Sequence, residues 1–90
     1  MHKYFVSYKL RKNLRKISNK DKIFYNKIVN KISEIINSEK IEHYKNLKCN
    51  MKDTKRVHIG HFVLIFRYDK KSNTIIFDSI KHHNLAYREK

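Results

Sequence analysis

The chain has 90 residues, and its 22 Lys and Arg residues against 8 Asp and Glu residues give a formal net charge of +14. This length suits one compact domain with a single thin core, so we expect residues 1–90 to form one domain. Hydrophobic residues make up 40% of the chain, which is enough for such a core and argues against intrinsic disorder. Positive charge on this scale favours a polyanionic partner such as nucleic acid.

Cysteine usage and hydropathy indicate the cellular setting. Cys49 is the single cysteine of the sequence, so no internal disulfide can form, which is typical of a reducing compartment. No apolar run approaches the ~20 residues that a membrane-spanning helix needs, and the basic N-terminus lacks the apolar core of a signal peptide. We therefore expect a cytoplasmic protein that does not contact a membrane.

The N-terminal part of the chain predicts a strand followed by two helices. Residues 4–8 are short, aromatic and β-branched, as in a strand. Residues 9–17 carry apolar side chains at helical spacing, which predicts a first helix. Ser18, with Asp21 three residues later, resembles a capping box and predicts that a second helix starts there and covers about residues 20–37. The short joint predicts that the two helices form an antiparallel hairpin.

The rest of the chain predicts a basic loop and three strands. Residues 38–54 are expected to form a loop with a turn or two of helix, anchored by Ile41, Tyr44 and Leu47. The hydrophobic period then changes to two, which predicts strands at 56–59, 62–68 and 74–80 with short turns between them. The predicted fold is therefore α+β, in the order strand–helix–helix–strand–strand–strand. We expect one antiparallel sheet, a helical hairpin on one face and a second face left free to bind a partner.

The C-terminal strands concentrate side chains that suit phosphodiester chemistry. Arg56 and His58 are two residues apart, so they project from one face of a strand. Arg and Lys bind phosphate, His near pH 7 transfers protons, and an aromatic ring stacks on an unpaired base. Further candidates that could join them are Lys48, Arg67, Lys81, His82, His83, Tyr87 and Arg88. RNA binding therefore follows from the residues, and RNA cleavage is a hypothesis beyond it.

The first predicted helix has a separate basic face. Arg11 and Arg15 lie one helical turn apart among several lysines. A charged helix face is usually only solvated. With a net charge of +14, we expect this face to contact RNA instead.

Two segments together resemble the RelE/YafQ superfamily of bacterial and archaeal toxins, which belong to type II toxin–antitoxin systems. These segments are residues 56–66, Arg-Val-His-Ile-Gly-His-Phe-Val-Leu-Ile-Phe, and residues 80–87, Ile-Lys-His-His-Asn-Leu-Ala-Tyr. The resemblance covers residues 47–88 and rests on a basic strand, a tight turn, an aromatic and aliphatic strand, and a closing His and Tyr tail. It implies a RelE-like, microbial-ribonuclease-like fold and an mRNA endoribonuclease that works in the ribosome without a metal or other cofactor. It also implies a cognate acidic, RelB-like antitoxin that neutralises the toxin in a hetero-oligomer.

The family's site positions can be matched to this sequence one by one. In the RelE branch, many members carry an Arg where this chain has Val63, whereas the YafQ branch has an aliphatic residue there and uses histidines. The resemblance therefore implies His chemistry. The matched catalytic positions are Lys48, Arg56, His58, His83 and Tyr87, and His82 matches the His of the common Gly-His-Arg tail.

The mechanism implied by the resemblance divides the reaction among these residues. His58 or His83 takes the proton of a 2′-hydroxyl and the other histidine protonates the leaving oxygen; the sequence leaves the two roles open. Arg56 and Lys48 hold the scissile phosphate, and Tyr87 orients a base. The expected products are a 2′,3′-cyclic or 3′-phosphate and a 5′-hydroxyl.

Two other functions remain open at this stage. One is a basic RNA-binding or ribosome-binding protein without enzymatic activity, and the other is a ParE-like poison of DNA gyrase with the same fold. The histidines could also be interpreted as zinc ligands. The sequence has no His-Glu-x-x-His motif, no acidic residue beside them and one cysteine, so we expect no metal.

Overall fold

The computed structural model describes residues 2–47 and 53–84. Within these ranges the elements follow in chain order as β1 (Lys3–Val6), α1 (Tyr8–Lys20), α2 (Lys22–Ile36), a short 3-10 helix (Ile41–His43), β2 (Thr54–Ile59), β3 (Phe62–Asp69) and β4 (Thr74–His82). The predicted α+β class and the order of elements are confirmed. Every strand boundary lies within two residues of the predicted one.

Each helix begins after a side chain that caps it. Ser7 caps α1, since its Oγ accepts a hydrogen bond from the backbone N–H of Leu10 at 3.0 Å. Asp21 caps α2 by accepting from the N–H of Phe24 at 3.0 Å. The prediction that α2 starts at Ser18 is wrong, because Asp21 provides an equally good acceptor one turn later and α1 continues up to it. Among the described residues, neither helix has the length and apolar character needed to cross a membrane.

The four strands form a mixed sheet in the order β1-β4-β3-β2. The antiparallel prediction is right for the pairs β2–β3 and β3–β4 and wrong for β1, which pairs parallel with β4. The short connections that force antiparallel pairing occur only among β2, β3 and β4. Between β1 and the rest of the sheet the chain runs through two helices, and a crossover of this length permits a parallel pair.

The main core lies between the helices and one face of the sheet. Leu10 of α1 and Ile28 of α2 are fully buried against Phe66 and Phe77 of the sheet. Alternate side chains of β3 belong to this cluster. Leu64 and Phe66 are buried in it, and Phe62 and Tyr68 are half-buried at its margin. Burial of this apolar area is what fixes the sheet against the hairpin.

The loop after α2 is anchored as predicted. Ile41 is 2% exposed in the main core, and the ring of Tyr44 meets that of Phe66 edge to face at 5.6 Å. Leu47 packs against a second cluster made by Val63 and Ile65. The loop therefore passes from the helix side to the other side of the sheet.

The second face of the sheet, which we call the open face, is the one turned away from α1 and α2. In the described part of the chain no helix covers it. It is not entirely polar, however, because Val63 and Ile65 are buried there beneath Leu47. The polar side chains of β2 and β4 flank this small apolar strip, and they form the candidate site.

Candidate active site

Strand register places the basic candidates of β2 and β4 on the open face. His58 is opposite Val63 of β3, and Val63 is opposite Lys81 of β4. His58 and Lys81 therefore lie in one row, about 10 Å apart between backbones. Arg56 projects from the same face two residues before His58. The shared face that the sequence predicts for Arg56 and His58 is confirmed.

His83 joins this row from the end of β4. Its backbone N–H donates to the carbonyl oxygen of His61 at 2.9 Å, which extends the pairing of β3 and β4 past the last strand residue. The imidazole of His83 then lies beside that of His58, with ring centroids 5.1 Å apart and planes inclined by 31°. Both side chains are exposed to solvent. The sequence places these two histidines 25 positions apart, and the fold brings their rings into contact.

The Arg56 side chain is held by the segment that precedes β2. Its Nε donates to the backbone carbonyl of Asn46 at 3.2 Å, and its backbone N–H donates to the carbonyl of Lys45 at 2.9 Å. Asn46 also accepts a hydrogen bond from Nζ of the buried Lys55 at 2.8 Å. Residues 45–47 thus run along the outer edge of β2 and hold the Arg56 side chain in position.

Sequence reasoning missed Lys45 and Asn46 as parts of this site. Both belong to the loop predicted at 38–54. Their backbone groups bind β2, the Asn46 side chain accepts from Lys55 of β2, and the charge of Lys45 acts on His58. The one available signal was Leu47, whose apolar side chain predicts an anchor next to them.

The positive surroundings of the site act on His58. Desolvation lowers the pKa of His58 below its ordinary value of 6.5, and the positive charges of Arg56, His83 and Lys45 lower it further. Each of these effects disfavours the charged imidazolium. The neutral imidazole, which is the form that accepts a proton, is therefore favoured at neutral pH.

Four of the predicted RNA contacts are not brought to the histidines. His82 points to the helix side of the sheet, where its ring meets that of Phe62 at 5.6 Å. Arg67 shares the open face but stands four residues along β3 from Val63, about 13 Å away. Arg11 and Arg15 lie on α1, on the other side of the sheet.

Some predicted site residues lie outside the described ranges: Lys48, Tyr87 and Arg88.

The metal interpretation has no geometric support in the ranges 2–47 and 53–84. No group of three or more His, Cys, Asp or Glu side chains in these ranges is arranged to hold a metal ion. The arrangement that is present, two imidazoles beside Arg and Lys, is instead suited to binding an anion and moving protons.

Individual relatives, rather than a family model, show what the chain is similar to. No family model matches the sequence. A protein of Methanocaldococcus jannaschii named "Putative toxin RelE4" is 38% identical over 91 aligned positions, covering 100% of this chain and 95% of that protein. An uncharacterised protein of Methanosarcina mazei is 37% identical over 87 positions, covering 93% of this chain and 99% of that one.

Solved structures show the same architecture at low sequence identity. A chain of the RelBE2 toxin–antitoxin complex of Mycobacterium tuberculosis superimposes with a TM-score of 0.59 at 16% identity, covering 90% of this chain and 96% of its own. The conserved hypothetical protein HP0894 of Helicobacter pylori gives a TM-score of 0.62 at 16% identity, with 93% and 97% covered. The chain therefore shares its fold with these structures. With the full-length archaeal relative, this shows that the chain belongs to the RelE toxin family.

Proposed function

We propose that this chain is the toxin of a toxin–antitoxin pair and that it cleaves mRNA on the open face of its sheet. The observation that carries the proposal is the contact of the His58 and His83 rings, 5.1 Å apart, beside the anchored Arg56. A pair of proton-transferring groups next to a fixed guanidinium is what cleavage by a neighbouring 2′-hydroxyl requires.

The lowered pKa of His58 supports a division of roles that the sequence leaves open. His58, favoured in its neutral form, takes the proton of the 2′-hydroxyl. The 2′-oxygen then forms a bond to phosphorus, the bond from phosphorus to the 5′-oxygen breaks, and His83 gives its proton to that oxygen. The products are a 2′,3′-cyclic phosphate and a 5′-hydroxyl, and no metal or cofactor takes part.

Charge on the same face supports phosphate binding. Arg56 can bind two phosphate oxygens through its planar guanidinium, and Lys81 contributes a second positive charge from the same row as His58. Lys48 is proposed as a further phosphate ligand and Tyr87 as the group that orients a base. Arg67 would bind RNA further from the cut, and Arg88 is proposed as another RNA contact.

The proposed partners follow from charge and from the relatives. The structural relative from Mycobacterium tuberculosis is a toxin–antitoxin complex, and a chain with a net charge of +14 suits an acidic, RelB-like antitoxin. The proposed substrate complex is the ribosome with its mRNA, in the cytoplasm. If cells express this chain at high level without an antitoxin and grow normally, the antitoxin proposal is contradicted.

The experiment that tests this function is 5′-end mapping of a reporter message in a translation extract with and without the protein. We expect cuts at positions in phase with codons, lost when ribosomes are omitted and lost with His83→Ala. Cuts on naked RNA would support the nuclease activity and refute its dependence on the ribosome. An absence of cuts would refute the nuclease activity and favour an RNA-binding protein without enzymatic activity. Inhibition of DNA supercoiling would in that case identify a gyrase poison.

A further inference from the structure

A groove between the two helices lies on the side of the molecule opposite the candidate active site. It has a volume of about 360 Å³ and is lined by Arg11, Leu14, Arg15, Ser18, Asn19 and Tyr25. Because α1 and α2 cover the core face of the sheet, the sheet and the core separate this groove from His58. A nucleotide bound at the histidines therefore cannot occupy the groove at the same time.

The side chains that line the groove carry positive charge. Arg11 and Arg15 are one helical turn apart on the same face of α1, with Cβ atoms about 5–6 Å apart. No carboxylate lines the groove. The helix that carries it has no Asp or Glu and six basic residues: Lys9, Arg11, Lys12, Arg15, Lys16 and Lys20.

A third cation stands at the margin of the groove on α2. Nζ of Lys22 lies 5.4 Å from the centre of the Tyr25 ring and donates to Oγ of Ser18 at 3.4 Å. The cation–π contact and the hydrogen bond hold this ammonium between the two helices. Both helices of the hairpin therefore contribute positive charge to one concave surface.

We propose that this groove binds the phosphate backbone of an RNA segment other than the one that is cut. Two guanidinium groups one turn apart can each bind a phosphate oxygen pair, and hydroxyl and amide groups between them can donate to the same backbone. The inference rests on the proposed function, since it supplies a second contact for the same RNA-bound toxin. It gives Arg11 and Arg15 a role that the candidate active site does not give them.

The composition of the groove favours RNA over an acidic protein. A protein segment docks mainly through apolar and aromatic anchors that fill pockets. Here Leu14 is the one aliphatic side chain of the lining, and Tyr25 is already covered by Lys22 on one face. Closely spaced cations with neutral donors instead match a repeating phosphate backbone.

The test is RNA binding by the full chain, measured by fluorescence anisotropy across a salt series. The probe is a labelled single-stranded RNA with methylated 2′-hydroxyls, so that binding is measured without cleavage. We expect the double variant Arg11→Gln, Arg15→Gln to reduce the salt slope by about 1.4, from about 0.7 for each phosphate contact, and to weaken binding about 25-fold at ~0.1 M salt.

A matched control separates the groove from the charge of the helix. The double variant Lys9→Gln, Lys16→Gln removes the same charge from α1 at exposed positions that do not line the groove. We expect it to weaken binding by at most about threefold, because charges further from the RNA are screened. Equal losses of RNA affinity in the two double variants would overturn the proposal and indicate non-specific electrostatic attraction instead.

Two more outcomes keep this inference distinct from the proposed nuclease. The methylated RNA reports binding without cleavage, so a failure of the proposed nuclease leaves the binding test intact. If the Arg11 and Arg15 variant binds RNA like wild type, the groove is not an RNA site. Loss of binding to poly-glutamate by that variant would then identify an acidic protein as the occupant.

Discussion

Removal of the two contacting histidines, separately and together, tests the central feature of the site. Proton transfer by a positioned side chain contributes about 10²–10⁴-fold to a reaction rate, which is about 2.7–5.5 kcal/mol of activation free energy. We expect His58→Ala and His83→Ala each to lose cleavage by a factor in this range. Their rings lie 5.1 Å apart, and the proposed mechanism assigns both to one reaction step. The cleavage rate of the double variant is therefore expected to lie no more than about tenfold below that of the less active single variant.

The same variants are expected to fold normally. His58 and His83 are both exposed, so their truncation removes no core packing and changes the free energy of unfolding by less than about 0.5 kcal/mol. For a domain of this size this corresponds to a shift in Tm of less than about 4 °C. His43→Ala is a matched control, because His43 is an exposed histidine at the end of the 3-10 helix and has no role in the proposed mechanism.

The assay is the rate of 5′-end formation on the reporter message, with Tm measured on each variant. Full cleavage by the double variant would refute the histidine mechanism. Losses that multiply in the double variant would show that the two histidines act in separate steps. An equal loss with His43→Ala would show that histidine removal acts through something other than the site.

Three further predictions follow from the contacts of the site. His82→Ala should reduce cleavage by less than about threefold, because His82 lies on the helix side of the sheet, and the same rate assay checks this. Because the pKa of His58 is lowered, cleavage should fall only as the pH drops through that lowered value. Lys45→Gln should raise the pKa of His58, measured by NMR titration, and move the fall in cleavage to higher pH. The unfolded chain protonates His58 near its ordinary value of 6.5, before the folded chain does, so this group contributes stability above that value that is lost as the pH falls. Asn46→Ala should cost about 1.5–3 kcal/mol in thermal or urea unfolding, because the ammonium of Lys55 loses a part-buried, charge-assisted hydrogen bond. Adding Lys55→Met should recover much of that loss, and a double variant no more stable than Asn46→Ala would contradict this explanation.

The hairpin boundary shows where local sequence signals compete. Ser18 and Asp21 both carry side chains that cap helices, and the spacing between them fits a capping box. The sequence cannot decide between one cap and the other, because both satisfy the same orphan amides at the start of a helix. In the structure the choice is Asp21, since α1 continues through Ser18.

The sequence by itself determines the elements and the chemistry of this protein. Hydrophobic periods of about 3.6 and 2 locate the helices and strands, and the alternation along β2 already places Arg56 and His58 on one face. The charge of +14 and the motif of the C-terminal half indicate the family before any coordinates are considered.

Tertiary structure decides what depends on contacts distant in sequence. The parallel pairing of β1, the contact of His58 with His83 and the anchoring of Arg56 by Asn46 each join parts of the chain that no local pattern links. The same holds for His82, which neighbours His83 in sequence and lies on the opposite face. Successive residues of an extended chain point to opposite sides, so only the register of β4 decides which histidine reaches the site.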